Sequence, residues 1–283
     1  MIALILAALT TPYQAVTVPD GSNARYVVQC GDPNAGMAGP ISFYSALSAG
    51  GWFRYVYNSF NGWNGEGQLD PSVENVWVQP LSRQPFGNVD SMGRIWPDED
   101  GAITIYTNRS TLDVTVYCSP CESVRLVGND NVLTVRAYSG EQSLFKLGRP
   151  AVHVLGDRNT VTGYAEHPMC ALYVRGNDTT VKNFEAVGGS VGDDTGMIYF
   201  QGYERDAGGA KILGYHTGAT IRNVKVRQSG RWYAPTHGTN AVYFDDGFSR
   251  AKVDTLDVYG YFTRLVFANG GTGISTKRVR TYN

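Results

Sequence analysis

Past residue 101 one short pattern keeps returning: a few apolar residues, a turn rich in Gly, Asn and Asp, then a second apolar run. Val124-Arg125-Leu126-Val127-Gly128-Asn129-Asp130-Asn131-Val132-Leu133 is followed by Val152-His153-Val154-Leu155-Gly156-Asp157-Arg158-Asn159-Thr160-Val161. Leu172-Tyr173-Val174-Arg175-Gly176-Asn177-Asp178-Thr179-Thr180-Val181 comes next, and the stretches at 242–247 and 265–270 continue the series. Counted from Val124, Val152, Leu172, Ile198, Val242 and Leu265, the starts lie 28, 20, 26, 44 and 23 residues apart. Strand–turn–strand units at this spacing are the mark of a solenoid, in which each unit buries its apolar face against its neighbours. The 44-residue step leaves room for an extra coil built on residues 219–226.

The unit is too short for a propeller blade and lacks the consensus and helical backs of leucine-rich repeats. It suits one coil of a right-handed parallel β-helix, which contributes two or three short strands. Gly and Asn at the corners fit as well, because corners need positive φ and Asn side chains stack in ladders. The competing reading is an antiparallel sandwich with accidental similarity. A β-helix places Val127, Leu155 and Val174 at equivalent or near-equivalent points on successive coils. It also places Leu126, Val154, Tyr173 or Val174, Val242 and Val266 in the inward stack.

Composition agrees with an all-β chain. Glycine numbers 34, tyrosine 18 and tryptophan 5, while charged residues are only 17% of the 283. That is too aromatic and too sparsely charged for disorder. The formal net charge of −1 offers no basic footprint for nucleic acid.

Residues 1–100 carry no repeat and divide from 101–283 as an apolar N-terminal segment plus a β-rich cap or attachment region. Solenoids need covered ends. The run from Met1 to Leu9 reads either as the apolar part of a secretory signal or as an ordered segment; nine residues are too few to span a bilayer, so no transmembrane span is expected. At the other end Arg280-Thr281-Tyr282-Asn283 follows directly on a coil, so a homo-oligomer or larger assembly is expected to cover that strand edge. Cys118 and Cys121 form a lone C-x-x-C without a second pair or a nearby His, which disfavours zinc. Cys30, Cys118, Cys121 and Cys170 read as a structural disulfide or buried thiols. Asn108-Arg109-Ser110 and Asn177-Asp178-Thr179 match the glycosylation pattern, a match that arises easily by chance.

Two later runs carry a family resemblance. Asp194-Thr195-Gly196-Met197-Ile198-Tyr199 and His237-Gly238-Thr239-Asn240-Ala241-Val242-Tyr243-Phe244-Asp245-Asp246-Gly247-Phe248-Ser249 resemble the coils of pectate-lyase-like β-helix proteins, which read D-x-G-x-I-Y and H-G-x-x-x-I-Y-x-D-D-x-x-S. The likeness covers about residues 120–283. It implies a carbohydrate-active protein that hydrolyses a polysaccharide or other glycan with paired aspartates in a surface groove, extracellular or on a virion surface. Relatives of this type include glycoside hydrolases, polysaccharide lyases and tailspike domains.

The chemistry has a basis independent of that likeness. Equivalent positions on neighbouring coils lie only about 4.8 Å apart. Carboxylates from adjacent coils can therefore reach the ~5–9 Å separations of glycoside hydrolysis, one as acid and the other as base or nucleophile. Asp194, Asp245 and Asp246, with His237, form the candidate catalytic set; a turn held by Asx hydrogen bonds is the plainer reading of the Asp245–Asp246 pair. For hydrolysis, Asp194→Asn and Asp245→Asn should each remove turnover while leaving the melting temperature nearly unchanged. Tyr203, Glu204, Arg231, Trp232 and Tyr233 are the candidate substrate contacts, with His216 beside them. A lyase would instead need a basic catalyst, for which Lys211, Arg222, Lys225 and Arg227 are available. No cofactor is required, although Asp193, Asp194, Asp245 and Asp246 could supply a calcium cluster. Tyr199 and Tyr243 are expected to stack on consecutive coils. The alternative to an enzyme is a non-catalytic virion or cell-surface adhesion protein.

Overall fold

The computed structural model describes residues 14–30, 42–45, 52–56, 64–68, 75–79, 103–117, 123–138, 150–167, 170–189, 196–229 and 240–282. Among them are strands and turns but no helix, and so no helix long and apolar enough to cross a membrane. The N-terminal strands are β1 (Gln14–Thr17) and β2 (Asn23–Cys30). A small antiparallel sheet follows, of β3 (Ser42–Ser45), β4 (Trp52–Val56) and β5 (Asn64–Gln68), and then β6 (Asn75–Gln79). From residue 103 a short strand alternates with a longer one: β7 (Ile103–Tyr106) and β8 (Thr111–Tyr117), β9 (Val124–Val127) and β10 (Val132–Tyr138), β11 (Val152–Leu155) and β12 (Thr160–Glu166), β13 (Leu172–Arg175) and β14 (Thr179–Gly188). After β15 (Gly196–Phe200) a hairpin of β16 (Glu204–Arg205) and β17 (Lys211–Ile212) intervenes before β18 (Thr217–Gln228). The last layers are β19 (Asn240–Phe244) with β20 (Ser249–Tyr259) and β21 (Arg264–Ala268) with β22 (Ser275–Tyr282).

Short and long strands sort into two large parallel sheets. The first, eight-stranded, runs β1-β7-β9-β11-β13-β15-β19-β21; the second, nine-stranded, runs β22-β20-β18-β14-β12-β10-β8-β2-β6. The chain thus alternates between sheets, and each layer is laid on the one before. β1 pairs with β7 and β2 with β8. The stack therefore already includes strands of the N-terminal hundred residues, although no repeat is readable there. Residues 219–226 make no extra layer: they lie in β18, the long strand of the layer that β15 begins. The hairpin and residues 229–239 account for the 44-residue step.

The core lies between the sheets. Leu126, Val154, Val174, Phe200 and Phe244 form one fully buried column, and Val124, Val152, Leu172, Ile198 and Val242 the next. Val127 pairs with Leu155 as expected, whereas Val174 pairs with Val154, one place earlier. Val266 continues the Val242 column but is only half-buried, and Tyr173 points outward, next to the buried Val174.

The corners from short to long strand between residues 107 and 179 are held by side-chain ladders. The Asn108, Asn129 and Asp157 carboxamide or carboxylate oxygens accept the backbone N–H of Asn129, Asp157 and Asn177 at 2.7–2.9 Å. One step inside, Asn131 and Asn159 accept from Ser110 and Asn131 in the same way, each at 3.0 Å, with both asparagines almost fully buried. Neighbouring N–H groups that would otherwise be buried without partners are satisfied layer by layer. The two glycosylation-like sites are absorbed here, with Ser110 and Thr179 both buried. Between the ladders one residue per layer is left-handed: Arg109, Asp130, Arg158 and Asp178, at φ of 52–61°. Their charges alternate, and Arg158 Nε lies 2.7 Å from Asp130 Oδ1. The long strands also bend midway, where Asn183 and Asn223 take positive φ and two consecutive residues face outward, as at Lys182-Asn183 and Arg222-Asn223. Cys170 is a free thiol donating to the Leu172 carbonyl at 3.4 Å, and burial pushes its pKa far up. The Met1–Leu9 segment, Cys118 and Cys121 lie outside the described residues.

Candidate functional site

The outer face of the first sheet carries an aromatic column. Strand pairing puts Tyr173, Tyr199, Tyr243 and Phe267 on successive layers, and alternation points them away from the core. Tyr173 and Tyr199 are stacked with centroids 4.7 Å apart, and Tyr199 and Tyr243 are tilted at 5.3 Å. His153 meets the free edge of Tyr173 at 4.8 Å. Tyr199 and Tyr243 are buried despite their outward direction.

Two residues past each tyrosine, Arg175, Gln201 and Asp245 occupy the same place on three successive layers. Each phenol reaches towards that row. Tyr173 donates to Gln201 Oε1, Tyr199 to Asp245 Oδ2, and Tyr243 to Asp245 Oδ1 at 3.1 Å. Burial, with neighbouring acidic groups and the Asp245 hydrogen bond, raises the Tyr199 phenol far above its ordinary range; burial does the same for Tyr173. Both therefore stay protonated and remain donors. Asp245, 7% exposed, has both oxygens occupied.

The hairpin docks on the row through charges. Pairing of Glu204 with Ile212 and Arg205 with Lys211 puts Tyr203, Arg205 and Lys211 on one face and Glu204 on the other. Lys211 Nζ lies 4.2 Å from the Tyr203 ring centroid and Arg205 Cζ 5.7 Å away. Lys211 is ion-paired with Asp246, whose other oxygen accepts from Asn269 Nδ2 at 3.1 Å. That contact raises the Lys211 pKa. Asp246 is itself left-handed, φ 41°, and its carbonyl accepts from Gly214 N at 3.1 Å. On the opposite face Glu204 is ion-paired with Arg175 and lies 2.6 Å from His216 Nε2. Burial alone would raise the Glu204 carboxyl, but hydrogen bonds from Arg175 and His216 outweigh it and hold it below the usual range.

Comparison with known protein families, with curated proteins and with solved structures finds no match for this chain.

Of the residues singled out in the sequence, the structure brings Asp245, Asp246, Tyr203, Glu204, Lys211 and His216 into one cluster. Asp194, Arg231, Trp232, Tyr233 and His237 lie outside the described residues, as does Asp193. Asp246 has the turn role, reinforced by Lys211. Tyr199 and Tyr243 are ladder residues on adjacent layers as expected. Arg222, Lys225 and Arg227 stand on β18 in the other sheet, where Arg227 pairs with Glu185 at 3.1 Å. Among the described residues no three His, Cys, Asp or Glu side chains gather as a metal-holding group. Arg175 and Gln201 were missed. Their signal was positional: each stands two places after the tyrosine of its strand, as Asp245 does after Tyr243.

Proposed function

We propose that this chain is a right-handed parallel β-helix that binds polysaccharide on the outer face of its first sheet, as an extracellular or virion-surface adhesion component. The observation that carries this reading is the state of the carboxylates. Asp245 accepts two phenols, Asp246 is paired with Lys211, and Glu204 is held between Arg175 and His216. Hydrolysis needs one carboxyl kept protonated as an acid and a second kept reactive. A set of engaged carboxylates instead supports a preorganised polar surface beside a half-exposed Tyr203, and tyrosine faces suit the apolar C–H faces of sugars.

Glycoside hydrolysis is the second reading, favoured by one observation: Glu204 and Asp245 belong to adjacent layers. A lyase has less support, because Lys211 is engaged by Asp246. The test is to incubate the protein with a polysaccharide panel and follow retention, reducing ends and ultraviolet absorbance together. Retention without new reducing ends is the expected result. New reducing ends lost in Asp245→Asn would replace binding with hydrolysis, and accompanying absorbance would replace it with a lyase. Neither retention nor cleavage across the panel would end the carbohydrate reading.

A further inference from the structure

The outer face of the second sheet is strongly basic over its last four layers, although the whole chain carries a formal net charge of only −1. Strand pairing stacks β14, β18, β20 and β22 in that order. β18 bears Arg222, Lys225 and Arg227 and no carboxylate, and β22 bears Lys277, Arg278 and Arg280 and none either. β14 adds Lys182 and Glu185, and β20 adds Lys252, Asp254 and Asp257. Arg250 stands apart at the corner, where its Nε donates to Thr217 Oγ1 at 2.9 Å. All eight cations of the face are exposed, and Glu166 of β12 closes the patch on the other side.

The three carboxylates are already taken. Glu185 is paired with Arg227 at 3.1 Å and Asp257 with Arg280 at 2.6 Å. Asp254 sits between Arg222 at 4.0 Å and Lys277 at 3.7 Å. Lys182, Lys225, Lys252 and Arg278 are left without an ion pair among the described residues. One unpaired cation thus stands on each of four successive layers, about 4.8 Å apart along the stack. Such a series suits a linear polyanion charged on ring after ring.

Eight cations against three carboxylates leave a surplus of five over three layer spacings, about 14 Å. A polyuronate, with one carboxylate per ring, leaves part of that surplus unmatched, whereas a sulfated glycan can carry more than one anion per ring. Thr180, Asn183, Thr220, Asn223 and Thr255 lie between the charges as neutral partners for sugar hydroxyls. The face offers a lipid bilayer no exposed aliphatic side chain to insert. A flat sheet has nothing to enter a nucleic-acid groove, and Tyr259 and Tyr282 at its margin stack on each other at 4.6 Å.

We infer that the outer face of β14, β18, β20 and β22 is a second binding site, taking a linear sulfated polysaccharide whose chain crosses the strands. The inference goes beyond the reading of the first sheet and shares no residue with it.

Fluorescence anisotropy of labelled dextran sulfate with the full chain tests it, with unsulfated dextran, polygalacturonate, oligothymidylate and phosphatidylserine vesicles as competitors. Dextran sulfate should bind, more weakly as salt rises, and each competitor should be at least about tenfold poorer. Lys182→Gln, Lys225→Gln, Lys252→Gln and Arg278→Gln break no ion pair. Each should keep the parent's melting temperature and weaken binding about two- to fivefold, and the four together more than about tenfold. Equal competition by dextran would overturn the inference, because charge would not be what is recognised. Equal competition by polygalacturonate would overturn the sulfate assignment, and by oligothymidylate or vesicles the glycan assignment. Parent-like binding by the fourfold variant would remove the site from this face. Failure of dextran sulfate to bind would end this inference and leave the first-sheet reading to its own polysaccharide panel.

Discussion

Asp245 is the residue on which the outer face converges. Two phenols from neighbouring layers donate to its two oxygens, and its own N–H donates to the Phe200 carbonyl at 2.9 Å. An asparagine there would turn an NH2 towards a phenol that is itself a donor. Asp245→Asn should therefore destabilise by about 1–3 kcal/mol, visible as a fall in melting temperature, even if no activity is ever found. Sequence reasoning anticipated an unchanged melting temperature for this variant because it saw a groove carboxylate. The partner that changes the outcome, Tyr199, lies 46 residues away. Acid stability is also set by single residues. His167 is buried, accepts the Cys170 N–H at Nδ1 over 3.3 Å, and is pushed by burial from 6.5 to about 3. The unfolded chain takes up that proton first, so stability should decline as pH falls from 6.5 towards 3. Denaturant titrations of His167→Asn, which keeps an acceptor, should show a flatter slope over that interval. Glu204 acts lower. Its folded carboxyl titrates below the ordinary 4.5, so its contribution is complete above 4.5 and is lost beneath it; Glu204→Gln should flatten only that limb.

At the scale of the strand, the bends carry the shape. β12 meets this bend at Gly163, which pairs with Phe184, the residue after Asn183; Gly163 has φ 114°, and an added Cβ there would sit 2.0 Å from the Val135 carbonyl oxygen of the layer before. No rotamer relieves a clash with backbone. Gly163→Ala should cost at least about 2 kcal/mol in chemical denaturation. Gly209→Ala, at φ 84° but with nothing within 4 Å, should cost only its local strain. Equal losses in the two variants would mean the bend tolerates a side chain. The strands themselves were legible because each apolar run is followed by a Gly/Asn/Asp turn. The bends were not, because a left-handed Asn inside a polar stretch such as Arg222-Asn223 looks like any exposed pair. The same limit produced the expectation of an extra layer at 219–226: the hairpin of 204–212 delays the long strand without signalling that the layer is still unfinished.

For the whole molecule, stability comes from columns that run through every layer. Val154 is fully buried between Leu126 and Val174. Val154→Asp places a charge where neither water nor a cation can reach it, and a loss above about 3 kcal/mol is expected from thermal and denaturant melts. A variant melting with the parent would contradict the column. Parallel stacking was readable in outline because the apolar spacing survives from layer to layer. The participation of β1 and β2 was not, since their partners β7 and β8 are more than 80 residues away in sequence and the intervening chain shows no matching pattern.

The left-handed corner residues have a consequence for how such a chain can lengthen or shorten over generations. Arg109, Asp130, Arg158 and Asp178 alternate in sign, and the charged run is interrupted at Gly218, where a Cβ would fall 2.0 Å from Asp178 Oδ1, before left-handed Arg250 takes the same place in the next layer. Duplicating or deleting a single layer within this stretch sets like charges against each other. Copying two layers together preserves the alternation. Each exposed pair is worth only about 0.2–1 kcal/mol, so the bias is gentle, but it acts on every unequal crossover. Gene duplication in this part of the molecule is therefore steered towards even numbers.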